Sequence, residues 1–369
     1  MRRGYLINMT VLLLLIPLLL LAATYESISS AIVVNQAERS LMERQYFSMV
    51  TLQDDLQNAV DLSFKRAYIS LTEYVINNTN TTQRFVSNAS ESLEELMKYG
   101  TIGGTISPTM GDVTLESWYS NFVNHLSSMG MSIEPSTPEE LFNSHMEMLI
   151  GPIDSFHVAV RVKLKNITIT DSSGRIRYSG DFPADGYVYS IVSVEGFEDP
   201  FIVVELNGLY TRIIEPCSNP YPGEEFGYYN ISNSTQIEEL VLDWCYLGLN
   251  DTVDVKYPTI LERFEGNMRN HQYYLNVAAE LRKELGITGL PLGLVTFLVP
   301  SPQSDPTLLG ALVSLGAHAP STYTSVDYYY LKCAIEGACF PYFENTDQIS
   351  DEYPTFRLDQ TTKKLVFNQ

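Results

Sequence analysis

The chain has 369 residues, 45% of them hydrophobic, and its 44 acidic against 23 basic side chains give a net charge of −21. That apolar content is enough for a folded core, and the length beyond the first two dozen residues suits about two ordinary domains. The acid excess argues against nucleic acid or anionic lipid headgroups as partners, which would be repelled, and fits a solvated acidic coat.

In chain order, Met1-Arg2-Arg3-Gly4 leads into an apolar run, Tyr5–Ala23, with no charge inside it. Wound as a helix rising about 1.5 Å per residue, the run is roughly 29 Å long, close to the thickness of a bilayer's hydrocarbon core. Residues 1–24 therefore read as a signal or transmembrane anchor that crosses the membrane once. Arg2 and Arg3 precede the run and Glu26 is the first charge after it, so the positive-inside bias predicts a cytoplasmic N-terminus and an extracellular body. A conventional cleaved signal is the competing reading, with Ser29-x-Ala31 as its small-residue site. The apolar run exceeds the usual length of about 7–15 residues for such a signal, which favours retention of the helix.

Residues 25–78 read as a helical stalk. Met49, Leu52, Leu56, Val60, Phe64, Ala67, Leu71 and Val75 recur at helical steps, and no proline interrupts the chain between Pro17 and Pro108. Leu56 to Val75 is expected to pack on the chain's own body, and Ile28 to Met49 to face a partner, making a homo- or hetero-oligomer through the N-terminal helix.

Residues 79–152 read as short helices and loops. Gly100, Gly103, Gly104 and Gly111 mark connectors. Leu115, Trp118, Phe122 and Leu126 share one helical face, and Thr137-Pro138-Glu139-Glu140 is a capping box predicted to open a helix reaching about Leu149.

Residues 153–369 read as an α+β body with an antiparallel sheet. His157 to Thr170 alternates apolar and polar, Ser172-Ser173-Gly174 turns, and Arg175–Tyr178, Tyr187–Val194 and Phe201–Leu206 follow as predicted strands of a β-meander with one wet face. Cys217 to Asn250 is loop-rich. Pro258 opens a helical region through Leu285, interrupted near Gly266 to Asn270. Strands are expected around Leu294 to Val299 and Asp327 to Leu331, with a hairpin from Thr355 to Phe367. The fold class is α+β: a transmembrane helix continuing into a long amphipathic helix, then a sheet-bearing extracellular body with flanking helices.

The four cysteines pair by proximity as Cys217 with Cys245 and Cys333 with Cys339, since an exported chain favours disulfides over free thiols. Seven Asn-x-Ser/Thr acceptors lie beyond the anchor, at Asn77, Asn80, Asn88, Asn166, Asn230, Asn233 and Asn250, a density that fits a glycosylated surface.

Residues that carry chemistry are scattered. His125, His145, His157, His271 and His318 form no paired-ligand spacing, so no metal is expected, and the acids Glu344, Asp347, Asp351 and Glu352 do not follow a calcium-loop template. No nucleophile elbow, phosphate loop or dinucleotide fingerprint occurs, so neither a catalytic residue nor a cofactor is expected. His145-Met146-Glu147 reads as part of a short helix, and Gly100 to Gly104 as a flexible connector without a preceding strand. Tyrosine is abundant, at 24 residues, and on strands covers half-buried faces.

Arg2-Arg3-Gly4 followed by Tyr5-Leu6-Ile7 and an unbroken apolar helix resembles the class III signal peptide of archaeal type IV pilins and pilin-like proteins. The resemblance covers about the first 50 residues. It implies a prepilin-type peptidase cutting between Gly4 and Tyr5, and a helix that anchors the protein before assembly by pilus machinery and forms filament core afterwards. Many type IV pilins carry a glutamate near the start of the run, which this chain lacks. A minor pilin, a pseudopilin and a permanently anchored archaeal surface protein all stay open, acting in assembly or adhesion. An anchored extracellular enzyme or solute-binding protein, its site assembled from residues distant in sequence, is the reading from another class.

Overall fold

The computed structural model describes residues 3–78, 84–171, 177–205, 211–217, 245–249, 258–267 and 271–298, residues 174 and 208, and the short strands at 325–326, 346–348 and 357–359. It is mixed helix and antiparallel sheet, with an apolar helix at the N-terminus.

Helix α1, Arg3–Asn77, runs 75 residues without a break, about 110 Å of helix. Pro17 lies inside it, within the stretch where the chain is richest in leucine. From Leu52 onward the expected stripe is buried: Leu52, Leu56, Val60, Phe64, Ala67, Leu71 and Val75 are all fully enclosed.

Helix α2, Ala89–Tyr99, is capped by Asn88, whose side chain accepts from the Glu91 N–H, and ends at Gly100 in the left-handed region. Strands β1 (Thr101–Ile102) and β2 (Thr105–Ile106) follow. The glycine stretch expected as a flexible connector is thus a tight hairpin. Gly103 and Gly104 take positive φ at its tip, and the Glu95 carboxylate accepts both their N–H groups at 3.0 Å. Helix α3, Leu115–Ser128, buries Leu115, Tyr119, Phe122 and Leu126, with Trp118 only partly covered.

Strand β3 is Met131–Glu134, and Thr137 caps the short helix α4, Pro138–Glu140, with proline at its start. The helix expected to reach Leu149 stops sooner. A single π-helical turn at Leu141–His145 ends it, and Met146–Asp154 is strand β4. Met146 and Glu147 therefore leave the helix on which the sequence placed them. The reason is periodicity: Met146, Met148 and Ile150 alternate with Glu147 and Leu149, and this sheet register overrides the helix start.

Strand β5, His157–Asp171, is the axis of a five-stranded antiparallel sheet. On one side β4 pairs with its first half and β3 with its second. On the other, β7 (Val188–Ser193) pairs with the first half and β6 (Arg177–Phe182) with the second. Strands β3 and β4 both begin before residue 153 and belong to this one sheet. Between Leu164 and Ile167 the pairing with β6 slips by one residue, with Asn166 at φ 54. That bulge reverses the parity of the strand. Val158, Val160, Val162 and Leu164 face the core before it, Ile167 and Ile169 after it.

The sheet packs on both faces, although the one expected to be wet keeps Ile191 and Lys165 exposed. On one, Val158, Val160 and Val162 of β5 lie opposite Val192, Ser190 and Val188 of β7, beneath α1, whose Asp61 accepts from the Ser190 hydroxyl at 2.8 Å. On the other, Ile153 and Ala159 pack against Val277 and Leu281 of a later helix. The small residues permit this: a Cβ at Gly151 would stand 2.3 Å from Val277 Cγ1.

Phe201–Leu206, expected as a strand, begins as helix α5, Pro200–Glu205. Asp199 accepts from the Phe201 N–H at 3.0 Å, and proline sits at the first helical position, a pairing that starts helices. Strand β8 is Tyr246–Leu249, helix α6 Ile260–Phe264, helix α7 Gln272–Leu285 and strand β9 Gly293–Leu298. The break between α6 and α7 falls where the sequence put it. Thr259 and Glu262 make a reciprocal capping box that starts α6. Strand β10 (Ser325–Val326) extends β8 and β9 into a three-stranded sheet, and β11 (Thr346–Gln348) pairs antiparallel with β12 (Arg357–Asp359). In the hairpin expected over Thr355 to Phe367, β12 pairs upstream with β11, and the return strand lies outside the described residues, as does Asp327 to Leu331.

Candidate functional site: the bare face of the long helix

Every side chain from Leu15 to Ser40 is exposed, and that 26-residue stretch is long and apolar enough to cross a membrane. Glu26 lies inside it, and a carboxylate held near a bilayer's centre costs about 3 kcal/mol or more. The charge-free run Tyr5–Ala23 is therefore the better spanning register, with Glu26 at its edge.

The apolar surface does not stop there. Ile28, Ile32, Val33, Val34, Met42, Tyr46 and Val50 are all exposed. Helical geometry relates them to the core. Ile28, Tyr46 and Phe64 recur every 18 residues, as do Ile32, Val50 and Tyr68, and as do Met42 and Val60; that interval is five turns at about 3.6 residues each. The face that Val60, Phe64 and Tyr68 bury in the body thus continues straight down the helix and emerges bare. Asn35, Glu38 and Arg39 interrupt it, and Arg39 pairs with Glu43 at 3.0 Å in the open, a pair worth a few tenths of a kcal/mol at about this exposure.

Inside the body, several ionisable side chains are engaged with one another. Arg263 and Asp199, both fully buried, meet at 2.5 Å. The same carboxylate oxygen accepts from Tyr246 at 2.7 Å, and Arg263 also donates to the Leu294 carbonyl. Burial and the Asp199 charge push the Tyr246 hydroxyl well up. Cys217 and Cys245 form the expected disulfide, with Cα atoms 4.7 Å apart, and hold β8 in place below this ion pair. Glu262 is buried beside it. Burial pushes its carboxyl up to about 7, although the Thr259 hydroxyl and the His271 and Thr259 N–H groups donate to it.

On the far face of the sheet, Arg161 bonds Glu280 at 2.6 Å, Glu147 at 3.3 Å and Glu284. Its guanidinium lies 4.4 Å from the centre of the Tyr187 ring. These contacts fasten α7 to the sheet. His157 Nδ1 stands 2.9 Å from both Asp154 carboxylate oxygens across the β4–β5 turn, and that hydrogen bond holds the imidazole's pKa up. His145 Nδ1 contacts the Lys165 carbonyl, His125 lies on α3, and His271 precedes α7. Among the described residues, no group of three or more His, Cys, Asp or Glu side chains is placed to hold a metal ion.

The processing pair Gly4 and Tyr5 sits in the first turn of α1. Asn77 is exposed near the end of that helix and Asn166 at the bulge, whereas Asn88 is occupied as the cap of α2. Asn80, Asn230, Asn233, Asn250, Cys333, Cys339 and His318 lie outside the described residues. The Asp199–Arg263 pair escaped sequence reasoning, since its members stand 64 positions apart; the one local signal was Asp199-Pro200 as a helix start. Compared with protein families, with curated proteins and with solved structures, the chain matches none.

Proposed function

We propose that this chain is a membrane-anchored, pilin-like surface protein that acts by assembly or adhesion rather than by catalysis. The observation that carries the reading is α1, one unbroken helix whose apolar face is core in one half and bare in the other. Contiguous exposed apolar surface marks a membrane or protein interface. From Leu15 to Val50 the described side chains are exposed over about 54 Å of helix, while a bilayer's hydrocarbon core takes about 30 Å. Lipid covers the first part. The remainder, around Ile28 to Val50, needs a protein neighbour, either the same helix of another copy or a related subunit.

In this reading Arg2 and Arg3 stay cytoplasmic and the acidic body stands outside the cell. A peptidase cut between Gly4 and Tyr5 releases the helix for assembly. Native protein supplies the test, through N-terminal sequencing and intact mass. A start at Tyr5, with the protein in membranes or sheared filaments, supports assembly. A start at Met1 with the protein held in membranes supports a permanent anchor. A soluble protein starting near Ile32 rejects both.

A further inference from the structure

Tyr68 lies on the enclosed half of α1, fully buried, with its ring edge-on to Phe197 at 4.7 Å and to Phe264 at 5.5 Å between centroids. Those neighbours flank the buried ion pair, Phe197 two residues before Asp199 and Phe264 directly after Arg263. The Tyr68 hydroxyl nonetheless has no hydrogen-bond partner among the described residues, although the Asp199 charge reaches it. Asp199 accepts three hydrogen bonds, from Phe201 N–H, Tyr246 Oη and Arg263 Nη1, whereas two carboxylate oxygens offer about four acceptor sites. One enclosed donor and one enclosed acceptor position are thus left over in the same corner of the core. Buried polar groups are almost always satisfied, and where protein atoms do not serve, an ordered water does.

We infer that the body encloses a bound water that accepts from Tyr68 Oη and donates to the Asp199 carboxylate, linking the long helix to the buried ion pair. The site takes a small neutral molecule able both to accept and to donate. A cation is disfavoured there by the Arg263 guanidinium on the same carboxylate.

The sign of a stability change separates this arrangement from a dry one. If the water is present, Tyr68→Phe removes a satisfied link and lowers the urea midpoint of the full-length protein in detergent; if the hydroxyl is bare, the same change removes an unsatisfied group and raises it. A crystal structure of the full chain gives the second reading. Density within hydrogen-bond distance of both Tyr68 Oη and Asp199 supports the inference, and an empty space between them, or a raised midpoint in the variant, overturns it.

Discussion

Asp199 does several jobs at once: it caps α5, takes the charge of Arg263 and receives Tyr246 from β8. Replacing it with alanine removes the buried carboxylate that Arg263 pairs with, a change that costs about 3–5 kcal/mol in comparable buried pairs. We expect Asp199→Ala to lower the urea midpoint sharply, while Glu43→Ala, at an exposed pair, leaves it within about 0.5 kcal/mol of the parent; equal effects would contradict the burial argument. Titration follows from neighbouring side chains. Folding raises the Glu262 carboxyl from 4.5 to about 7 through burial, and raises His157 above 6.5 through its bond to Asp154. A group whose folded pKa exceeds its unfolded one contributes stability that is complete below the unfolded value and is lost as pH rises through the folded one. Glu147 has the opposite sign. Lys165 lowers its carboxyl below 4.5, so its contribution is present above the unfolded value and disappears in acid. Stability should peak near about pH 5 and decline toward pH 8. Glu262→Gln should flatten that decline, and an undiminished slope in the variant would show that another group carries it.

Among the elements, α7 depends on one missing side chain. A Cβ at Gly151 would stand 2.3 Å from Val277 Cγ1, so Gly151→Ala forces helix and sheet apart, at about 1–3 kcal/mol. Hydrogen exchange should quicken along α7 in that variant more than along α2; uniform quickening would mean that the contact does not hold α7 locally. The elements also show what the sequence could and could not convey. The stripe of α1 was legible because 3.6-residue periodicity survives over many turns, and so were the cap at Thr137 and the disulfide between Cys217 and Cys245. What failed was local competition. Thr137-Pro138 does start a helix, but the alternation from Met146 onward recruits the chain into β4 within two turns. Phe201 to Leu206 is apolar and β-branched enough to read as strand, yet the Asp199 cap and Pro200 set it as helix. The covered second face of the sheet was signalled only by Gly151 and Ala159, whose smallness acquires meaning once α7 is seen to lie on them. As for the candidate site, the bare half of α1 was legible as an apolar run. The buried charge centre was not, because distant segments assemble it.

Over the whole molecule, the two halves of α1 obey different rules, although they form one helix. Below Leu52 the described side chains are exposed, and their apolar face is stabilised only by what lies outside the chain; above Leu52 the same face is enclosed by the sheet and the helices beside it. A charge placed on each half should therefore have different consequences. Phe64→Asp puts a carboxylate into an enclosed apolar site and should unfold the body, since such a group costs several kcal/mol without a partner. Tyr46→Asp, on the same face 18 residues earlier, should leave the body's thermal midpoint unchanged and instead abolish association between copies, read by cross-linking in membranes. A chain beginning at Leu52 carries the division further. It keeps every enclosed residue of the stripe and sheds the bare face, and its many acids keep it dispersed. We expect it to be soluble without detergent, monomeric by sedimentation, and to melt within a few degrees of the full-length protein. If it instead aggregates or melts far lower, the bare half is part of the fold, and the division of α1 into a core half and an interface half must be abandoned.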